Sequence, residues 1–220
     1  MLDELIARAR GLSGGDGRAI LGITGCPGAG KSTLAHHLVQ ALSGDGFPAV
    51  CVPMDGFHLA DAALDRLGAR SRKGAIDTFD GHGYLATLRR LREELDHPVY
   101  APDFDREIEQ PIAGSIAVEP ATRLVITEGN YLLSRTEPWP GIRAQLTEVW
   151  YVDVDDDLRR TRLSARHVRY GKTPAAARRW VKEVDEANAR LIAATRDSAD
   201  LRIDLSQTEI DSGDATGVSG

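Results

Sequence analysis

Nine consecutive residues, Gly25-Cys26-Pro27-Gly28-Ala29-Gly30-Lys31-Ser32-Thr33, set a glycine, four intervening residues and then Gly-Lys-Ser in a spacing suited to phosphate. Glycines let the backbone close around an anion so that successive N–H groups point inward, and the helix that follows offers its positive end to the same anion. Lys31 is placed to neutralise charge on β- and γ-phosphates, and the Ser32 hydroxyl to hold Mg²⁺. The chemistry expected of residues 25–33 is therefore the cradling of a nucleoside triphosphate.

Further along the chain, Pro53-Met54-Asp55-Gly56-Phe57-His58 puts a carboxylate and an imidazole three positions apart. The carboxylate of Asp55 can accept the proton of an attacking hydroxyl, reach Mg²⁺ through water, or simply close a turn before Gly56. The cluster Arg72, Lys73, Asp80 and His82 reads either as a substrate loop or as a solvated turn. Asp103 and Arg106 can bind a polar substrate or pair with each other. Glu128 ends an apolar run and is placed as the second acidic group supporting Mg²⁺. Arg159, Arg162, Arg166 and Arg169 recur at intervals of three and four and can share one helix face; Arg162 and Arg166 are the expected phosphate contacts on a lid that closes over the reacting group.

These groups need a scaffold that brings them together. The apolar runs at 19–24, 47–52, 123–128, 149–154 and 201–205 read as five buried strands, and helical periodicity lies between them. Strand, helix and strand with a short return is the right-handed crossover of a parallel sheet, so the fold class expected is α/β in three layers. In such sheets ligands sit beyond the carboxyl ends of the strands, where Asp55, His58 and Glu128 emerge beside the phosphate loop. Residues 97–118 are too proline-punctuated for the central sheet and read as a flap over the site, and residues 155–173 as an Arg-rich lid. Thr173 caps a helix starting at Pro174. In that helix Trp180, Val184, Ala187 and Leu191 read as the core stripe, with Asn188 near it. Residues 1–205 form one expected domain, and 206–220 lack an apolar pattern and read as a disordered tail.

Composition narrows the choices. The 220 residues carry a formal charge of -6, which gives no global attraction for nucleic acid or an anionic membrane. Two cysteines, Cys26 and Cys51, make no disulfide framework, and no apolar run approaches the ~20 residues of a membrane span. A cytoplasmic protein is expected. Only four of the 27 basic residues are lysines, and none sits in the Asn/Thr-Lys-x-Asp setting that reads guanine. Two classes compete: a kinase acting on a small hydroxyl compound, and a nucleotide-hydrolysing switch or regulatory ATPase. Asp55, the flap and the lid surround the phosphates as an acceptor pocket would, which favours the kinase.

The phosphate loop, the Met54-Asp55-Gly56-Phe57-His58 tip, the Lys73-Gly74 to Phe79-Asp80 loop, Pro102-Asp103-Phe104-Asp105-Arg106, Thr127-Glu128-Gly129-Asn130-Tyr131 and the Arg-rich lid together resemble the uridine kinase, phosphoribulokinase and bacterial pantothenate kinase superfamily. The likeness runs from about Ala19 to Leu205 and is nearest to the branch labelled nucleoside/nucleotide kinase-like or fructose-transport-system kinase. The resemblance implies a P-loop kinase using ATP, with Lys31 on the triphosphate, Ser32 and Glu128 near Mg²⁺, Asp55 as the acceptor-activating base and Arg162 or Arg166 in the lid. It further implies that His58, Arg72, Asp80, Arg106 and Tyr131 touch the acceptor, and it leaves a homodimer open. Uridine kinases usually carry Asp-Ser-Phe-Tyr where this chain has Asp-Gly-Phe-His, and pantothenate kinases are longer, so neither substrate transfers directly.

Overall fold

The computed structural model describes residues 1–15 and 17–206, so the tail expected at 206–220 lies outside the described residues from 207 onward. In chain order, α1 (Leu2–Gly11) leads to β1 (Ala19–Gly25), the phosphate loop and α2 (Lys31–Gly44). Then come β2 (Ala49–Cys51), a 3₁₀ turn at Met54–Phe57, α3 (Asp61–Arg66), α4 (Gly81–Glu93) and the hairpin β3 (Val99–Asp105) and β4 (Gln110–Val118). The last part runs β5 (Leu124–Glu128), α5 (Trp139–Arg143), β6 (Glu148–Asp153), α6 (Asp156–Arg169), α7 (Pro174–Trp180), a π turn at Val181–Asp185, α8 (Glu186–Ala193) and β7 (Leu201–Asp204).

All five expected strands form one parallel sheet in the order β2-β5-β1-β6-β7. Strand β1 is central, and the chain passes first to one side of it and later to the other. That reversal opens a crevice at the carboxyl ends of the strands, where the phosphate loop leaves β1. Ile23 pairs in register with Glu128, which brings the end of β5 level with the start of the loop.

Side chains alternate across the sheet. Ile20, Val125, Val149 and Tyr151 face a layer made by α4 and α5, packing with Leu85, Leu88, Leu91 and Trp139. Leu21, Ile23, Leu124, Ile126, Trp150 and Val152 face the other layer, packing with Leu34, Leu38 and Leu42 of α2 and Leu5 and Ala9 of α1. The period of two in strands feeds both faces, so the central strands β1, β5 and β6 read as largely apolar runs. Truncating a fully buried residue such as Leu38 to alanine is expected to cost about 2–5 kcal/mol.

The segment read as a flap is a two-stranded antiparallel hairpin whose register shifts between Ala101 and Asp103. Pro102 sits at that shift, which is where a residue without an N–H is tolerated in a ladder. Val99, Ala101 and Val118 anchor the hairpin base in the core. Nearer the site, a Cβ at Gly56 would fall 2.3 Å from the Pro102 carbonyl oxygen. Only glycine permits the 54–57 turn and the flap to lie backbone against backbone there.

One expectation is corrected. The stripe Trp180, Val184, Ala187 and Leu191 is not the core face: Leu191 is exposed, and the buried positions are Ala177, Val181, Asp185, Asn188, Ala189 and Ile192. Asp185 and Asn188 interrupt that stripe with polar side chains, so the apolar pattern pointed to the neighbouring one. Leu85, Leu88, Leu91 and Leu95 read from their spacing as one helix stripe, but Leu95 falls beyond the end of α4 and is exposed.

Candidate active site

Strand β1 ends at Gly25, and α2 begins at Lys31 with Gly30 in the left-handed region, so residues 25–30 wrap the helix N-terminus. Gly28 also has a positive φ, and a Cβ there would lie 2.8 Å from Leu163 Cγ and 2.9 Å from the Arg159 carbonyl oxygen of α6. The loop is thus pressed closely against α6. Lys31 is buried and its ammonium donates to the Cys26 carbonyl oxygen at 3.1 Å. Burial pushes the Lys31 pKa down, offset by Glu128 and Asp55. The Cys26 thiol faces the Tyr151 hydroxyl and the Ala189 carbonyl.

A cavity of about 320 Å³ opens in front of this loop. Pro27, Gly28, Lys31 and Ser32 line one end, and Asp55, His58, Arg106 and Glu128 line it further along. The Arg106 guanidinium donates to Asp55 Oδ2 at 3.2 Å. His58 Nδ1 lies 2.8 Å from the Asp55 backbone carbonyl oxygen, so that nitrogen carries the proton and a neutral ring keeps Nε2 as its acceptor. The imidazole is stacked between Phe79, at 4.0 Å between centroids, and Phe104, at 4.8 Å. Burial lowers the His58 pKa, which favours the neutral ring.

The Ser32 hydroxyl donates to Glu128 Oε1 at 2.9 Å, joining the start of α2 to the end of β5. Two carboxylates of the cavity, Asp55 and Glu128, are driven apart electrostatically. Burial would raise Asp55, but His58 in its protonated form, together with Arg106, Arg166 and Lys31, outweighs it and holds the group below the ordinary aspartate value. Glu128 is raised, by burial first and by Asp55 second, against the pull of Lys31. Opposed environments of this kind separate the roles of two acids in one site. The hydroxyl and carboxylate oxygens of Ser32 and Glu128 are hard donors suited to Mg²⁺. No group of three or more His, Cys, Asp or Glu placed to hold a metal ion occurs among the described residues. Mg²⁺ commonly takes one or two protein carboxylates and completes its shell from phosphate and water.

On the lid, Arg166 lines the cavity, while Arg162 flanks the loop: a Cβ at Gly30 would sit 3.9 Å from its Nη1. Arg159 does not join them. It is buried, donating to Asp156 and Glu186. Thr173 accepts from the Ala176 N–H as the cap of α7.

Three residues expected to touch an acceptor are placed elsewhere. Arg72 is exposed and paired with Asp77 at 2.5 Å. The Asp80 carboxylate caps α4 through the Gly83 N–H at 2.8 Å. Tyr131 is buried against Trp139 and Phe79, and its hydroxyl donates to the Gly74 carbonyl at 2.7 Å, bracing the 70–80 loop from behind. The cations of this loop that line the cavity are Arg70 and Lys73: Lys73 donates to Asp61 at 2.7 Å and to the Glu109 carbonyl, and Arg70 pairs with Asp61 at 2.8 Å. The far wall holds His167, Lys172, Trp180, Asp185 and Asn188. Of these, Asp185 and Trp180 carried no sequence signal as site residues, the one lost among helix charges and the other read as core.

Comparison with known proteins places this arrangement. Residues 20–210 match the model of the phosphoribulokinase / uridine kinase family. An ATP-dependent kinase-like protein of Aspergillus versicolor is 41% identical over 152 residues, covering 65% of this chain and 88% of its own length. A candidate uridine kinase of Schizosaccharomyces pombe is 38% identical over 173 residues, covering 76% and 73%. The crystal structure of a candidate fructose transport system kinase from Silicibacter sp. TM1040 superposes with a TM-score of 0.84 at 37% identity, over 92% of this chain and 98% of that one.

Proposed function

The chain belongs to the phosphoribulokinase / uridine kinase family of small-molecule kinases, and from that premise we propose that it transfers the γ-phosphoryl group of ATP to a hydroxyl of a nucleoside, sugar or pantothenate-like metabolite held between Asp55 and the flap. The observation that carries this reading is the single cavity shared by Lys31, Ser32, Asp55 and Glu128 and walled by flap and lid.

Each residue has a role in the proposal. The loop amides and Lys31 hold the β- and γ-phosphates. Ser32 and Glu128 would hold Mg²⁺, which when bound neutralises phosphate charge. Asp55, kept ionised by the cations around it, accepts the proton of the acceptor hydroxyl as it attacks. Arg106 leaves or retains its hold on Asp55 according to the acceptor's polar groups, and His58 offers Nε2 beside it. Arg166 meets the charge that spreads onto the transferring group, where exclusion of water makes it most effective. Positioning and electrostatics supply nearly all of the catalysis in such transfers.

The names of the relatives suggest a sugar or a nucleoside as first acceptors to try. The test is a coupled ADP-release screen against sugars, nucleosides and vitamin precursors, with product mass measured. A phosphorylated acceptor supports the reading. ADP release that no acceptor accelerates moves the protein to the class of nucleotide-hydrolysing switches.

A further inference from the structure

The lid helix α6 is tied to the α7–α8 segment at Glu186, through Arg159 and Arg160, and at Asp185, through His167, and the two places differ in character. Near its start the buried Arg159 guanidinium donates to Glu186 and, at 3.0 Å, to Asp156, and its stem and carbonyl press on Gly28. The Arg159 side chain is buried, those of Asp156 and Glu186 are 65% and 19% exposed, and none of the three lines the cavity. Two turns on, His167 Nε2 lies 2.8 Å from Asp185 Oδ2. That pair faces the cavity, with side chains 15% and 10% exposed.

The surroundings of the second contact are unusual. Asp185 is the last residue of the π turn at Val181–Asp185. Such turns are rare, less favourable than α-helix, and concentrated at functional sites. A nearly buried carboxylate is costly unless paired, and here its partner is an imidazole of the lid. Trp180 meets the same imidazole edge-on at 6.4 Å, and the Lys172 ammonium sits 4.8 Å from the Trp180 ring centroid. The end of the lid is therefore gathered onto the π turn through His167, Trp180 and Lys172. Directly before His167 comes Arg166, whose charge acts on both Lys31 and Asp55.

We propose that His167 and Asp185 are positioning residues: their contact latches the second half of α6 to the π turn and so fixes where Arg166 stands over the phosphate loop, with Arg159–Glu186 as the fixed pivot. The proposal rests on the kinase reading, since it gives Arg166 a phosphoryl group to meet. A fastening needed only for the fold is already supplied by Arg159. The second one, open to the cavity and next in sequence to the working guanidinium, can act on reactivity while leaving the loop intact.

The test uses the full chain and basal ADP release from Mg·ATP, with water as acceptor, beside calorimetric affinity for Mg·AMP-PNP. His167→Ala, Asp185→Ala and the double variant should each lose a similar factor, roughly 10- to 100-fold, in ADP release. AMP-PNP affinity should stay within about twofold of wild type, which also reports an intact loop. Asp185→Asn, which keeps an oxygen for the imidazole N–H, should recover most of the activity. Adding His167→Ala to Arg166→Ala should cost nothing more. Wild-type ADP release in the single variants, or losses that multiply with that of Arg166→Ala, overturn the latch. Wild-type release in Lys31→Ala as well overturns the kinase reading itself, and the latch with it.

Discussion

The Arg106 guanidinium of the hairpin donates to the Asp55 carboxylate on the floor of the site at 3.2 Å. Residues 51 positions apart, one on a hairpin and one at a strand tip, thus share a charge balance. Burial alone would raise Asp55, and Arg106 is one of the cations that bring it down.

Arg106→Ala should therefore shift the pH profile. A depressed carboxylate stays ionised until the pH falls through its lowered value, so removing one of the depressing charges raises that value. The acid limb of kcat/KM should move to higher pH, and the acceptor KM should rise. Superimposable acid limbs in variant and wild type would separate Arg106 from the ionisation of Asp55.

Glu128 predicts the opposite trade. Its pKa is raised above the ordinary glutamate value of 4.5, chiefly by burial. The fold's preference for the protonated form is fully present below that value and is lost as pH rises through the raised one. Ionised Glu128 hence weighs against the fold at neutral pH. Glu128→Gln should raise the Tm of the nucleotide-free protein at neutral pH, by about 2–4 °C for each kcal/mol regained. The gain should vanish below pH 4.5, while Mg²⁺-dependent transfer is lost at every pH. A Tm unchanged or lowered at neutral pH would contradict the assigned direction.

The loop at 70–80 separates neighbouring residues by role. Lys73→Ala should raise the acceptor KM, because Lys73 lines the cavity beside Asp61 and Phe104. Arg72→Ala should leave kinetics unchanged, since its partner is the exposed Asp77. Tyr131→Phe should cost about 0.5–1.5 kcal/mol of stability, the size of one hydrogen bond, with little change in turnover. Steady-state kinetics and thermal melts on the three variants decide the order.

How much of this was legible beforehand follows from what each residue type signals. The central strands β1, β5 and β6 showed because both faces of the sheet are covered there, which leaves apolar runs such as Leu124 to Ile126. The edge strand β7 showed by alternation instead, with Arg202 and Asp204 exposed. Lys31 and Ser32 were legible because phosphate cradles need glycine and lysine at fixed offsets. Asp55, His58 and Glu128 followed from strand tips, a property of topology. Arg72, Asp80 and Tyr131 were misplaced for a common reason: within a loop, sequence does not say which of several polar side chains turns inward. Arg72 and Lys73 are adjacent and point to different partners. Asp80 is a helix cap, a role that Asp155 also serves at the start of α6. Asp185 was hidden because burial of a polar side chain depends on partners from distant segments, as His167 is to Asp185, whereas Asn188 stood out beside the apolar stripe as a residue that could face a ligand.

Gly28 offers a test of the loop's packing. Its φ of +82° already disfavours any other residue, and an added methyl would meet the Arg159 carbonyl oxygen at 2.9 Å. Gly28→Ala should cost about 1–3 kcal/mol from backbone strain and remove measurable AMP-PNP binding. Calorimetry on a variant shown folded by circular dichroism is the check.

The account turns on Asp55 as the group that takes the acceptor's proton. Its direct test is Asp55→Asn assayed with the acceptor found in the screen, measuring Mg·AMP-PNP affinity and phosphoryl transfer in the same preparation. The account predicts affinity within about threefold of wild type and transfer reduced by roughly 10²- to 10⁴-fold. Transfer at the wild-type rate with affinity intact would remove Asp55 from the chemistry and contradict the mechanism.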